Sequence, residues 1–178
     1  MQYDLRYNSK YKLSTISLVF MGLTSKVSNV DWIDGVQVSP LKLVPNERGR
    51  LMEVQRFDDS IFPGFGQAYI TSTFPGVIKA WYKHSIQIDQ IAVIIGLLKL
   101  VLYDAREDSP TYERVDTILL GELAPKLVQF PPGIWHGFQA VGTQETFALH
   151  LNSVAFIADT PDEERLPFDT DLIPYKWS

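Results

Sequence analysis

The chain contains no cysteine. Disulfides, cysteine-based zinc sites and thiol nucleophiles are therefore excluded. Histidine is scarce: only His84, His136 and His150 occur, so any imidazole chemistry must be built from these three. There is no basic excess either. Against 21 Asp and Glu stand 16 Lys and Arg, for a net charge of −5. Non-specific nucleic-acid binding needs a basic face to release counterions from phosphates, so that class is set aside. A local basic pocket for one anionic small molecule is still open. Long helical patterns, repeats and low-complexity tracts are missing. So is any run long and apolar enough to span a bilayer. The nearest is KLSTISLVFMGLTSK, which resembles the core of a secretion signal. Asp4 lies in its leader, and Ser14, Thr15 and Ser17 interrupt it. It reads as an added N-terminal strand or extension within 1–35, with a secretion signal as the other reading. The expectation is a cytoplasmic protein with no membrane or nucleic-acid partner.

What is present is a chain of 178 residues, 46% hydrophobic and 21% charged, enough for one domain with a real core over 36–178. Turn signals recur about every ten residues, which predicts an all-β sandwich or barrel. QAYITST lies between two Pro-Gly turns and reads as a strand. IAVIIGLLKLVLYDAR reads as two strands pinched at Gly96, on its Val and Ile content. TILLGE, PKLVQF, GFQAVG and ETFALHLNS supply more strands. VIKAWYKHSI alternates: Val77, Lys79, Trp81 and Lys83 fall on one face, Ile78, Ala80, Tyr82 and His84 on the other. The proline-rich, acidic end predicts a loop with a short helix near Asp162 to Arg165, closing the domain as a cap.

Two stretches carry the chemistry. Gly76 is followed after five residues by Tyr82, then by His84, Asp89 and Gly96; Pro131, Gly133 and His136 form a second group. Together they resemble the two motifs of the cupin superfamily, which implies a double-stranded β-helix, or jelly roll. The first histidine of the usual pair is Tyr82, and the usual later asparagine is Ala140. In metal-binding cupins these positions hold an ion. His84, Asp89 and His136 would form a two-histidine, one-carboxylate set that suits iron or a similar metal.

Five further stretches occur in order: NERGRLMEVQR, PGVIKAWYKH, DAREDSPTYER, VQFPPGIWHGF and FDTDLIPYKW. They resemble the dTDP-4-dehydrorhamnose 3,5-epimerases over about residues 40 to 177. The resemblance implies a dimeric jelly roll that binds a nucleotide diphospho-sugar, dTDP-linked, and moves protons beside a C4 ketone without metal or organic cofactor. It implies contacts to the nucleotide part from Arg48 and Glu53. Lys79 stands for the arginine that holds the diphosphate, keeping the charge but not the bidentate fork. His136 matches the His-Gly-Phe histidine, and Asp169 the late aspartate that orients the base.

The sequence departs from that family where the chemistry should be. Tyr82 occupies the base position, and a phenol with a usual pKa of about 10 is a poor base at neutral pH. Asp89 replaces a lysine beside the enolate. The acid tyrosine is missing, with Phe156 in its region. His84 lies one strand repeat beyond Tyr82, so it either serves as the base or packs against Tyr82. His150 lines the barrel or is structural, and Trp81 and Trp135 stack on a ligand or belong to the core. The acidic group Asp159, Asp162, Glu163 and Glu164 reads as a solvated helix start. The expected function is a sugar-nucleotide epimerase or isomerase with an atypical site. The alternatives are a non-catalytic nucleotide-sugar-binding cupin and a metal-dependent cupin.

Overall fold

The computed structural model describes residues 31–178. The stretch considered above as an added strand or secretion signal lies outside them. Among the described residues twelve strands follow one another: β1 (Gln37–Pro40), β2 (Leu43–Asn46), β3 (Gly49–Met52), β4 (Gln67–Thr73), β5 (Ile78–Lys83), β6 (Asp89–Ile95), β7 (Leu97–Asp104), β8 (Val115–Gly121), β9 (Lys126–Phe130), β10 (Ile134–Ala140), β11 (Thr146–Asn152) and β12 (Glu164–Arg165). They form two five-stranded sheets, ordered β1-β9-β6-β11-β4 and β12-β5-β10-β7-β8, plus the hairpin β2-β3. Their pairings are antiparallel. This is the all-β, jelly-roll architecture expected from the turn spacing and the cupin motifs.

The sequence explains the layering. Along β11, Thr146, Ala148, His150 and Asn152 are buried while Phe147, Leu149 and Leu151 are only half-buried, the period-two pattern of a sheet with one inner face. Leu98, Leu100 and Leu102 of β7 meet Ile91 and Val93 of β6 between the sheets. A second cluster lies on the outer face of the other sheet, where Trp81, Val101, Tyr103 and Trp135 are covered by Ile173, Tyr175 and Trp177. The C-terminal segment therefore closes an apolar face. Gly96 separates β6 from β7 at a φ of 88°, a backbone region that side chains disfavour.

No helix occurs among the described residues. The helix expected near Asp162 to Arg165 is instead the short strand β12, whose Glu164 and Arg165 pair with Lys83 and Tyr82 of β5. The physical reason is visible at Asp162. A helix-capping carboxylate bonds its own following N–H groups. Here the Asp162 carboxylate accepts from the backbone N–H groups of Ser85, Ile86 and Gln87, and so ties the segment to a distant turn.

Candidate active site

The site begins with an irregularity in β5. Its register with β10 shifts between His136 and Gly137, so that Tyr82 pairs with His136, Ala80 with Gly137 and Lys79 with Phe138. Ala80 and Trp81 thus share the space opposite one step of β10, which is a β-bulge. Both pack in the outer cluster against Trp177. The alternation expected for this strand is broken there. Lys79, directly opposite the core residue Phe138, joins Tyr82 on the inner face instead of sharing a face with Trp81. The close approach that permits this falls at Gly137, where an added Cβ would lie 2.3 Å from the Ala80 Cβ.

Beyond the bulge, His84 closes the end of β5 and is buried. Its Nδ1 donates to the Asp162 backbone carbonyl. A carbonyl only accepts, so this bond places the proton on Nδ1 and leaves the lone pair of neutral imidazole on Nε2. That Nε2 faces Asp89 Oδ2 at 3.8 Å. Asp89 opens β6, accepts from Gln87 Nε2 at 2.8 Å, and has its carboxyl pushed up to about 6 by burial. His136 lies against this pair, 5.5 Å from the His84 ring, 4.8 Å from Phe130 and 6.0 Å from Tyr82, centroid to centroid. Burial pushes His136 down to about 3, so it stays neutral at physiological pH.

In front of these groups opens a cleft of about 410 Å³. Gln67 and Tyr69 of β4, Asn152 of β11, His84, Gln87 and Asp162 line it. Glu163, Arg165 and Phe156 form its rim. The Oδ1 atom of Asn152 is buried without a hydrogen-bond partner. Arrangements of this kind, an imidazole with a fixed tautomer at the mouth of a polar cleft, are suited to proton transfer on a bound small molecule.

A family model described as dTDP-4-dehydrorhamnose 3,5-epimerase matches residues 31–173. The chain belongs to this family. It is 36% identical over 146 residues to the spore coat polysaccharide biosynthesis protein SpsL of Bacillus subtilis, covering 82% of this chain and 97% of SpsL. It is 37% identical over 148 residues to the probable low-salt glycan biosynthesis epimerase Agl13 of Haloferax volcanii, covering 82% and 95%. A crystal structure of a dTDP sugar isomerase from Desulfovibrio desulfuricans superposes with a TM-score of 0.78 at 34% identity, covering 82% of this chain and 92% of that one.

Within this epimerase-family fold the residues expected from sequence are not all brought together. His84, Asp89, His136 and Tyr82 converge. Tyr82 does not line the cleft: its ring lies between His136 and the Arg165 guanidinium, which sits 5.4 Å from the ring centroid. Asp169 is exposed on the turn after β12, so the expectation that it orients the base is corrected. The groups at His84 are Asp89 and the Asp162 carbonyl, because the latch at Asp162 carries the chain past the imidazole before Asp169 is reached. Arg48 stands at the tip of the β2-β3 hairpin, 84% exposed and 3.6 Å from Glu47. Glu53 follows that hairpin and faces Arg56 at 3.9 Å. Neither lines the cleft of its own chain. Lys79 donates to the Ser72 carbonyl at 2.6 Å and helps hold the buried His150 down, though burial is the larger cause. Trp81 and Trp135 belong to the outer core.

Tyr69, Gln87 and Asn152 were not assigned to a site from the sequence, and Asp162 and Arg165 were read only as part of a helix, yet all five line the cleft. One signal existed. Gln67, Tyr69, Thr71 and Thr73 place polar groups at every second residue, a polar inner face for β4. Asp162 gave no local signal, because the N–H groups it serves lie some 75 residues away.

Proposed function

We propose that this chain is a sugar-nucleotide epimerase that removes and returns a proton beside the 4-keto group of a dTDP-linked deoxysugar, with His84 as the base. The observation that carries the reading is the His84 tautomer. The Asp162 carbonyl holds Nδ1–H, so the lone pair of the neutral ring stands on Nε2, and His84 lines a cleft large enough for a hexose ring. The Asp89 carboxyl stands 3.8 Å from that nitrogen. Membership of the epimerase family, the probable epimerase Agl13 and the dTDP sugar isomerase support the substrate class. No organic cofactor enters this chemistry.

The reading extends to a homodimer working in the cytoplasm, where nucleotide-activated sugars are made. Phe57, Phe65 and Ile70 are exposed, and the first two border an apolar depression with Leu149 and Leu151, a surface suited to a second copy. The β2-β3 hairpin, with Arg48 outside its own cleft, would then serve that copy.

A specific observation favours a second reading, a metal site. One ligand atom each from His84, Asp89 and His136 lies within 4.8 Å of the others, and all three residues are buried. Gln87 occupies Asp89 Oδ1, and Asp162 occupies His84 Nδ1, so Asp89 Oδ2 and His84 Nε2 are the atoms left to bind. These donors fit a divalent ion, which would supply Lewis acidity to a carbonyl oxygen.

One experiment addresses the readings together. The purified full chain is incubated with dTDP-4-keto-6-deoxyglucose in deuterated water and followed by NMR, with and without a chelator. Deuterium entering C3 or C5 regardless of chelator is the expected result. Exchange that vanishes with the metal supports the second reading. Binding without exchange overturns both in favour of a non-catalytic sugar-nucleotide binder.

A further inference from the structure

Epimerisation needs two groups, because the proton must leave one face of the carbon and return to the other. His84 is one such group. We infer that Tyr69 is the other: the proton donor that acts across the cleft from His84. The inference rests on the proposed epimerase reading.

Tyr69 and His84 line the same cleft but come from different sheets. Tyr69 lies on β4, the edge strand of one sheet; His84 directly follows β5 of the other. A sugar ring held between these two side chains would present opposite faces to them. Tyr69 pairs with His150, whose side chain points inward, so the phenol also points inward. Its orientation is held by a parallel stack on the His150 ring, with centroids 4.6 Å apart and planes 9° from parallel. His150 is in turn fixed by Thr71 Oγ1, 3.0 Å from its Nε2.

The other cleft-lining acids are committed elsewhere. The Asp162 carboxyl accepts three backbone N–H groups, which hold it below its usual range. Glu163 is paired with Arg165. Burial raises the Tyr69 phenol above its ordinary value, so it carries its proton at neutral pH. Asn152, lying beside the phenol, favours the phenolate that forms on donation.

The step balances. His84 Nε2 takes the proton from the carbon beside the ketone, and the C–H electron pair becomes the enolate. The Tyr69 O–H bond then breaks, and its proton forms a new C–H bond on the opposite face as the ketone returns. Water in the open cleft moves one proton from the imidazolium to the phenolate, restoring both groups.

The test is Tyr69→Phe in the full chain, with dTDP-4-keto-6-deoxyglucose in deuterated water. Phenylalanine keeps the stack on His150, and thermal melting with dTDP titration checks fold and binding. The expected result separates two signals: deuterium exchange with retention persists within a few fold, while inverted product falls about 100-fold or more. Inversion within threefold of wild type overturns the assignment. So does loss of exchange as well as inversion with dTDP binding intact, or loss of dTDP binding itself, since Tyr69 would then serve another role. A wild-type chain that exchanges nothing overturns the epimerase reading, and this inference with it; that outcome is told apart because it does not depend on Tyr69.

Discussion

At the scale of single residues, His84 shows how one hydrogen bond decides a chemical role. Its imidazole is fixed by a main-chain oxygen, so the lone pair of the neutral ring stands on Nε2. Replacing His84 by Asn should keep the fold and lower deuterium exchange into the keto sugar by about 100-fold or more. Exchange within threefold of wild type, measured by NMR, would remove His84 from the mechanism. The same logic applies to Tyr82. It matches the family's base position, yet its ring is covered by His136 and Arg165 and does not line the cleft. Tyr82→Phe should therefore leave exchange within about threefold, well short of the loss expected for a general base.

At the scale of elements, the bulge in β5 and the strand β12 shape the site. The bulge requires Gly137, since any Cβ there would meet Ala80 at 2.3 Å and Trp177 at 3.0 Å. Gly137→Ala should destabilise the chain by about 1–3 kcal/mol through overpacking, read as a lower urea midpoint. The strand β12 is held at its start by Asp162. Asp162→Ala removes the acceptor of three N–H groups and loosens the carbonyl that orients His84. The expected effect is a kcat reduced by about 10- to 100-fold, with a smaller change in the binding of dTDP, because positioning is lost more than contact. An equal loss in dTDP affinity, measured by calorimetry, would make Asp162 a binding residue instead.

At the scale of the whole molecule, polar groups buried inside the barrel set how stability responds to acid. Burial pushes His150 down to about 4 and His136 to about 3, against an ordinary value near 6.5. The folded state therefore disfavours their protonation. Their contribution to stability is full above about pH 6.5 and is lost as pH falls through that value toward 4 and 3. Asp104, held at about 2 by Arg106, Ser109 and Thr111, contributes stability above about pH 4 that is lost as pH falls toward 2. Melting temperature should be flat above pH 7 and fall below it, and His150→Gln should flatten the part of that fall between about pH 6.5 and 4. An unchanged slope in that variant would show that His150 does not titrate with unfolding.

Much of this was legible from local pattern. Turn spacing, alternation in β11 and the Gly96 pinch announced a β-sandwich, because a strand's faces and ends are set by its own residues. The turn at Asp104 is equally local, since the partners of its carboxylate lie within seven residues. The three converging groups His84, Asp89 and His136 were legible through motif spacing. What the sequence could not show was every feature that depends on a partner strand. The bulge that turns Lys79 inward exists only against β10. The latch from Asp162 to the turn at 85–87 spans about 75 residues of chain. Tyr69 and His84 line one cleft only because strands of different sheets come together there. The sequence by itself determined the strands, the family and the imidazoles available. Tertiary structure alone decided which lone pair is free, which carboxylate stands beside it and which side chains share its cleft, since those depend on distances between segments that sequence order does not constrain.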